Sequence, residues 1–122
     1  MWTKAHFWLG HFQSEEDLHQ YFAEHYDEDG ELLSFAFATD QSLSFCDHDF
    51  LEYGFEPEGE TLAVKFSGYS YSEDWLETLQ ERAHGLVDIQ HINSIAFLWQ
   101  EDVPEPISIR GEGYSWVYLG IC

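Results

Sequence analysis

Positive charge is what this sequence has least of. Four Lys and Arg stand against 24 Asp and Glu in 122 residues, a formal net charge of −20. A chain so short of cations has no electrostatic hold on a phosphate backbone or an anionic membrane, which excludes nucleic acid and lipid surfaces as direct partners. A charged partner has to be basic. Cysteine is scarce too: Cys46 and Cys122 allow at most one intrachain bridge, so no disulfide framework is expected. Cys46, in the apolar run Leu43-Ser44-Phe45-Cys46, reads as a small buried thiol rather than a reactive one. No charged-then-apolar leader precedes Lys4, and Phe7-Trp8-Leu9 and Ile95-Ala96-Phe97-Leu98-Trp99 are far shorter than the roughly 20 residues that span a bilayer, which points to the cytoplasm. Internal repeats and low-complexity linkers are also missing, so residues 1–122 are expected to form one domain.

What the chain has instead is buryable surface. Apolar residues make up 44% and aromatics 18%, with five Trp, seven Tyr and ten Phe, too much for a disordered acidic segment. A folded monomer of 14.3 kDa exposes roughly 6,800 Å², about one uncompensated negative charge per 340 Å². Solubility requires a net charge of only about 2–8 in magnitude for a small domain, so the excess calls for a second cause. Attraction to a cationic surface is the simplest.

Residues 4–9 read as a first strand closed by Gly10. Ser14, followed by Glu15, Glu16 and Asp17, marks a helix N-terminus with acids at the positive end of the dipole. Leu18, Tyr21, Phe22 and His25 recur at i, i+3, i+4, i+7, which predicts a helix over about 15–26. Asp27 to Glu31 is a solvated turn; residues 32–39 fit a short helix or a buried strand, with helix preferred. Leu43 to Cys46 alternates as a strand does and leads through Asp47-His48-Asp49 to Tyr53; Gly54 to Glu60 is turn-rich, and residues 62–66 have the period of a strand. Ser70 and Ser72 are both suitable caps for the clearest helical stripe, Trp75, Leu76, Leu79, Ala83 and Leu86, over about 73–84, with Gly85 as its stop. Strands are expected at 94–99 and 114–119, with a brief pairing at 107–110. The expected fold is α+β, a mostly antiparallel sheet with two or three helices packed on one face.

Sites for chemistry are few. Asp47-His48-Asp49 is the best metal candidate, yet in a strand residues 47 and 49 share one face while 48 points to the other, and no HExxH or paired CxxC adds ligands. His19 and His25 are six apart and do not stack on a helix. Aligning Gly30 with the sixth position of a calcium loop puts His25 and Ala36 where carboxylates are required. No Gly-x-Ser-x-Gly elbow or cysteine-nucleophile signature exists. Hence no catalytic residue, metal or cofactor is assigned, and no enzymatic activity is expected.

What remains is surface. Residues 1–61 carry 15 acids and one base, residues 62–122 nine acids and three bases. The acids gather as Glu15-Glu16-Asp17, Asp27-Glu28-Asp29 with Glu31, Asp47-Asp49-Glu52, and Glu56-Glu58-Glu60. One such run is usually a solvated face; four without compensating bases suggest a partner surface. Asp47, Asp49 and Glu52 are its first candidates, then Glu15, Glu16, Asp27, Glu28 and Asp29, with Phe50, Tyr53, Phe55, Tyr69 and Tyr71 as possible aromatic anchors.

Over nearly its whole length the chain resembles the immunity protein 22 family of bacterial polymorphic toxin systems. The similarity lies in the order and spacing of Phe7-Trp8-Leu9-Gly10, Ser14-Glu15-Glu16-Asp17-Leu18 with Tyr21-Phe22, Ser34-Phe35-Ala36 with Asp40, Asp47-His48-Asp49-Phe50 with Glu52, Ser70-Tyr71-Ser72 and the closing aromatic strand. The chain departs from that pattern at Leu32 to Phe37, which is more aromatic and less charged. The resemblance implies a cytoplasmic protein that binds and neutralises a cognate toxin domain, a nuclease if the acidity answers a basic cleft. An acidic adaptor or nucleic-acid mimic, and a small metal-dependent hydrolase, are the alternatives. The toxin's identity, the mode of inhibition and the oligomeric state are not encoded in any feature above.

Overall fold

β1 (Ala5–Phe12) is apolar at nearly every position, and this decides where it sits. Ala5, Phe7 and Leu9 point to one side and Trp8 and Phe12 to the other, all almost fully buried. A strand buried on both faces belongs in the middle of a covered sheet. The computed structural model, which describes residues 5–23, 25–33, 35–43, 50–56, 61–99, 103 and 106–122, places it there. The five-stranded antiparallel sheet has the order β4 (Leu51–Phe55), β5 (Ser94–Trp99), β1, β7 (Tyr114–Ile121), β6 (Ile109–Gly111). The α+β class and the antiparallel sheet are as the sequence predicts.

The helices do not share one face, and here the expectation is corrected. α3 (Leu62–Phe66) and α4 (Ser72–Ala83) cover the side carrying Phe7, Leu9, Ile95 and Phe97. α1 (Glu15–Phe22) and α2 (Ala36–Asp40) cover the side carrying Trp8, Phe12, Ala96, Leu98 and Trp116. β1 and β5 lack a polar face, so a one-sided arrangement would leave a row of large side chains in water at roughly 1.5–3 kcal/mol each. Trp75 and Leu79 of α4 are fully buried, while Leu76 and Trp99 are partly buried against the same cluster.

Five local expectations also change. Gly10 does not close β1: the strand runs on to Phe12, and glycine is required because a Cβ there would lie 2.0 Å from the Ser115 carbonyl oxygen and 2.8 Å from the Trp116 ring. α1 starts as predicted, with Ser14 Oγ accepting from the Asp17 N–H at 3.1 Å, but ends at Phe22 instead of near Tyr26. The chain turns instead into a hairpin of β2 (His25–Tyr26) and β3 (Leu32–Leu33), and residues 32–39 divide between β3 and α2. Residues 62–66 are helical, not extended. Thr61 Oγ1 accepts from the Val64 N–H at 3.2 Å, and Leu62, Lys65 and Phe66 are buried at helical spacing; a strand would have buried Val64, which is 63% exposed. Finally, α4 takes neither predicted serine as its cap. Tyr71 occupies that position, and Ser72 Oγ donates to the Ser67 carbonyl at 2.6 Å. The brief pairing near 107–110 is present as β6.

Buried amides lock the covered sheet. Asn93 donates Nδ2–H to the Phe12 carbonyl at 2.8 Å and accepts the Phe12 N–H at 2.9 Å, extending β1 as a strand neighbour would. Gln41 does the same for Ile107, at 3.0 and 2.9 Å, holding the approach to β6 against α2. No helix among the described residues is long and apolar enough to cross a membrane.

Candidate partner-binding surface

α1 is eight residues long and packs its Leu18, Tyr21 and Phe22 face onto the sheet beside β4. The contact is aromatic: Phe22 stacks on Tyr53 of β4 with ring centroids 4.2 Å apart, and the His19 ring meets Tyr53 edge-on at 5.9 Å. Burying that face turns Glu15, Glu16, His19 and Gln20 outward, where with Ala23 they line a shallow, open depression of about 570 Å³. His19 Nε2 lies 3.5 Å from Glu15 Oε2, both side chains well exposed, so the pair contributes little to stability.

β4 is the outermost strand of the sheet on this side among the described residues. Leu51, Tyr53 and Phe55 pack towards α1, so strand alternation sends Glu52 to the opposite face. There Glu52 Oε2 accepts the Ser70 N–H at 3.1 Å, and Glu56 Oε1 accepts from the Tyr69 hydroxyl at 3.1 Å. Tyr69 sits among these acids. Its phenol is raised well above the usual tyrosine range, first by burial and then by the negative charges of Glu56, Glu52 and Glu15. Glu52 on β4 and Glu56 just beyond its end are thus tied to the residues that lead into α4, and Glu15 at the start of α1 adds a smaller contribution to the raised phenol.

The other expected site residues fall differently. Asp27 is occupied within the chain: its Oδ1 accepts the N–H groups of Asp29 and Glu31, each at 2.9 Å, shaping the turn between β2 and β3 in which Gly30 has φ +82°. Glu28 and Asp29 are exposed on that turn, which follows the C-terminal end of α1, whereas Glu15 stands at its start. Asp47 and Asp49, with His48, Cys46, Glu58 and Glu60, lie outside the described residues. Among those described, no three His, Cys, Asp or Glu side chains come together as metal ligands do.

One carboxylate that the sequence reading placed only within a family-like segment has a structural role. Asp40 Oδ2, at the end of α2, accepts from the Tyr21 hydroxyl at 2.7 Å and the Tyr114 hydroxyl at 2.5 Å, tying α1 and α2 to β7. Burial and then Asp40 push the Tyr114 phenol up to about 12; the same two causes, in the same order, raise Tyr21 further. Nothing in the linear pattern links positions 21, 40 and 114; only a tyrosine in the α1 stripe where leucine would suffice hints that a buried acceptor awaits it.

No curated protein and no solved structure matches the chain. Residues 5–122 match the family described as Immunity protein 22. That match takes in the whole sheet and every helix described above, so the chain belongs to the immunity protein 22 family.

Proposed function

We propose that the chain neutralises a toxin domain of nuclease type by laying an acidic surface against its basic, phosphate-holding cleft. The placement of acids on both sides of the outer strand carries this reading: Glu15 and Glu16 line the open depression of α1, while Glu52 and Glu56 stand at β4 and its end beside Ser70 and Tyr69. Glu16 extends the surface along α1, and Glu28 and Asp29 form a second acidic point on the hairpin turn. Asp47 and Asp49 belong to the same proposal by their place in the chain, just before β4. A nuclease must be cationic where it grips phosphates, so charge steers the two proteins together and the carboxylates then occupy the cleft or hold an inactive shape. The inhibition involves no catalysis, metal or cofactor, and a cytoplasmic location fits a target met inside the cell.

The test uses a cognate toxin domain, identified by its capture on the wild-type chain. Association of the wild type and of a Glu15→Gln, Glu16→Gln, Glu52→Gln triple variant is followed by stopped flow. Gln keeps an acceptor for Ser70, so the fold is retained. At about 0.01 M salt, where the Debye length is about 30 Å, the triple variant is expected to associate at least several-fold more slowly. At about 0.15 M, with a Debye length of about 8 Å, the gap should narrow. Equal rates at both concentrations would make the acidity a solubility device.

A further inference from the structure

Tyr71 is held in an unusual way. It has φ +58° and ψ +26°, the left-handed region that bulky residues avoid, and it occupies the cap position of α4 without making a side-chain cap bond. A glycine would fit that backbone without strain, and a serine, asparagine or aspartate would supply the missing cap. The tyrosine does neither. The residue is 44% exposed, and its ring rests edge-on against Trp99 at the end of β5, with centroids 5.6 Å apart.

The segment presenting this ring is rigid. Ser70 donates its N–H to Glu52 and accepts from Trp75 Nε1 at 2.7 Å; Ser72 bonds back to Ser67; the Asp74 N–H donates to the Tyr71 carbonyl at 2.9 Å. Behind Trp99 the aromatic contact continues into Phe97 and so into the core. A large aromatic carried on a hydrogen-bonded backbone and already resting on a second ring has less freedom to lose on binding, which favours it as an interface residue. Glu73 and Asp74 in the first turn of α4 are exposed, and Glu52 holds the preceding residue, so the segment that presents the ring is acidic.

We propose that Tyr71, backed by Trp99, is the anchor of the partner interface and receives an arginine or lysine side chain of the toxin domain. Charge complementarity selects this occupant: a cation is drawn by the carboxylates and then held over the ring face. The proposal rests on the toxin-binding reading and extends the surface from α1 and β4 to the start of α4.

The experiment compares wild type, Tyr71→Gly and Tyr71→Phe. Tyr71→Gly removes the ring and relieves the left-handed backbone, so its thermal stability should equal or exceed the wild type's. Affinity for the cognate toxin domain is expected to fall at least about 30-fold in Tyr71→Gly and less than about 3-fold in Tyr71→Phe. Wild-type binding with unchanged Tyr71→Gly affinity overturns the anchor and leaves the toxin reading standing. Failure of the wild type itself to bind removes both. Self-association of the chain alone in ultracentrifugation, lost in Tyr71→Gly, makes the occupant a second copy and also overturns the proposal.

Discussion

Asp40 offers the sharpest test of how the two halves of the α1 face are joined. Its Oδ2 is the acceptor for two tyrosine hydroxyls, one on buried Tyr21 and one on half-buried Tyr114. A hydrogen bond to a charged group is worth about 1.5–3 kcal/mol net, and stranding a buried donor costs a similar amount. In Asp40→Ala the Tyr21 hydroxyl loses its acceptor inside an aromatic cluster, whereas that of Tyr114 regains water in part. The expected loss is about 2–4 kcal/mol, large beside the roughly 5–15 kcal/mol of an ordinary domain yet leaving it folded. Asp40→Asn keeps one acceptor oxygen and loses the charge, so about half of that cost is expected. Urea unfolding at pH 7, followed by tryptophan fluorescence, measures both; Trp116 lies 6.2 Å from the Tyr21 ring and reports on this region. A cycle with Tyr21→Phe isolates the bond: the double variant should be less destabilised than the sum of the singles by about 1–2 kcal/mol. Additive costs, or an Asp40→Ala loss below about 0.5 kcal/mol, would show that Asp40 is a surface acid with incidental neighbours.

Two further outcomes follow from the packing. Burial with Asp40 raises the Tyr21 and Tyr114 phenols, the latter to about 12, and burial with Glu56, Glu52 and Glu15 raises Tyr69. Unfolded phenols ionise near pH 10, so above it the unfolded chain releases protons that the fold retains. The stability held below about pH 10 should therefore fall steadily as pH rises towards 12, and a flat series of urea midpoints over that range would contradict the burial of these hydroxyls. On α3, Val64→Lys should change stability by less than about 0.5 kcal/mol while Leu62→Ala costs about 2–5 kcal/mol, both read from urea curves. A costly Val64→Lys would restore the extended reading of residues 62–66.

The sequence by itself determined whatever a single element's pattern decides. The apolar and aromatic residues up to Leu9 mark a first strand, Ser14 starts α1, and the Trp75-Leu76-Leu79-Ala83 stripe places α4, because each signal is contained in one segment. The net charge and the direction it sets for a partner need no coordinates either. Tertiary structure decided the rest. A five-residue segment such as 62–66 is too short for helix formation to be settled locally, since nucleation is costly; burial of Leu62, Lys65 and Phe66 together chose helix over strand. The assignment of helices to opposite faces, the pairing of Asp40 with tyrosines 19 and 74 positions away, and the bond from Ser70 to Glu52 all depend on contacts between distant segments. Such contacts exist only once two apolar faces of one sheet have each been covered, and that requirement belongs to the assembled core and to no single stretch of chain.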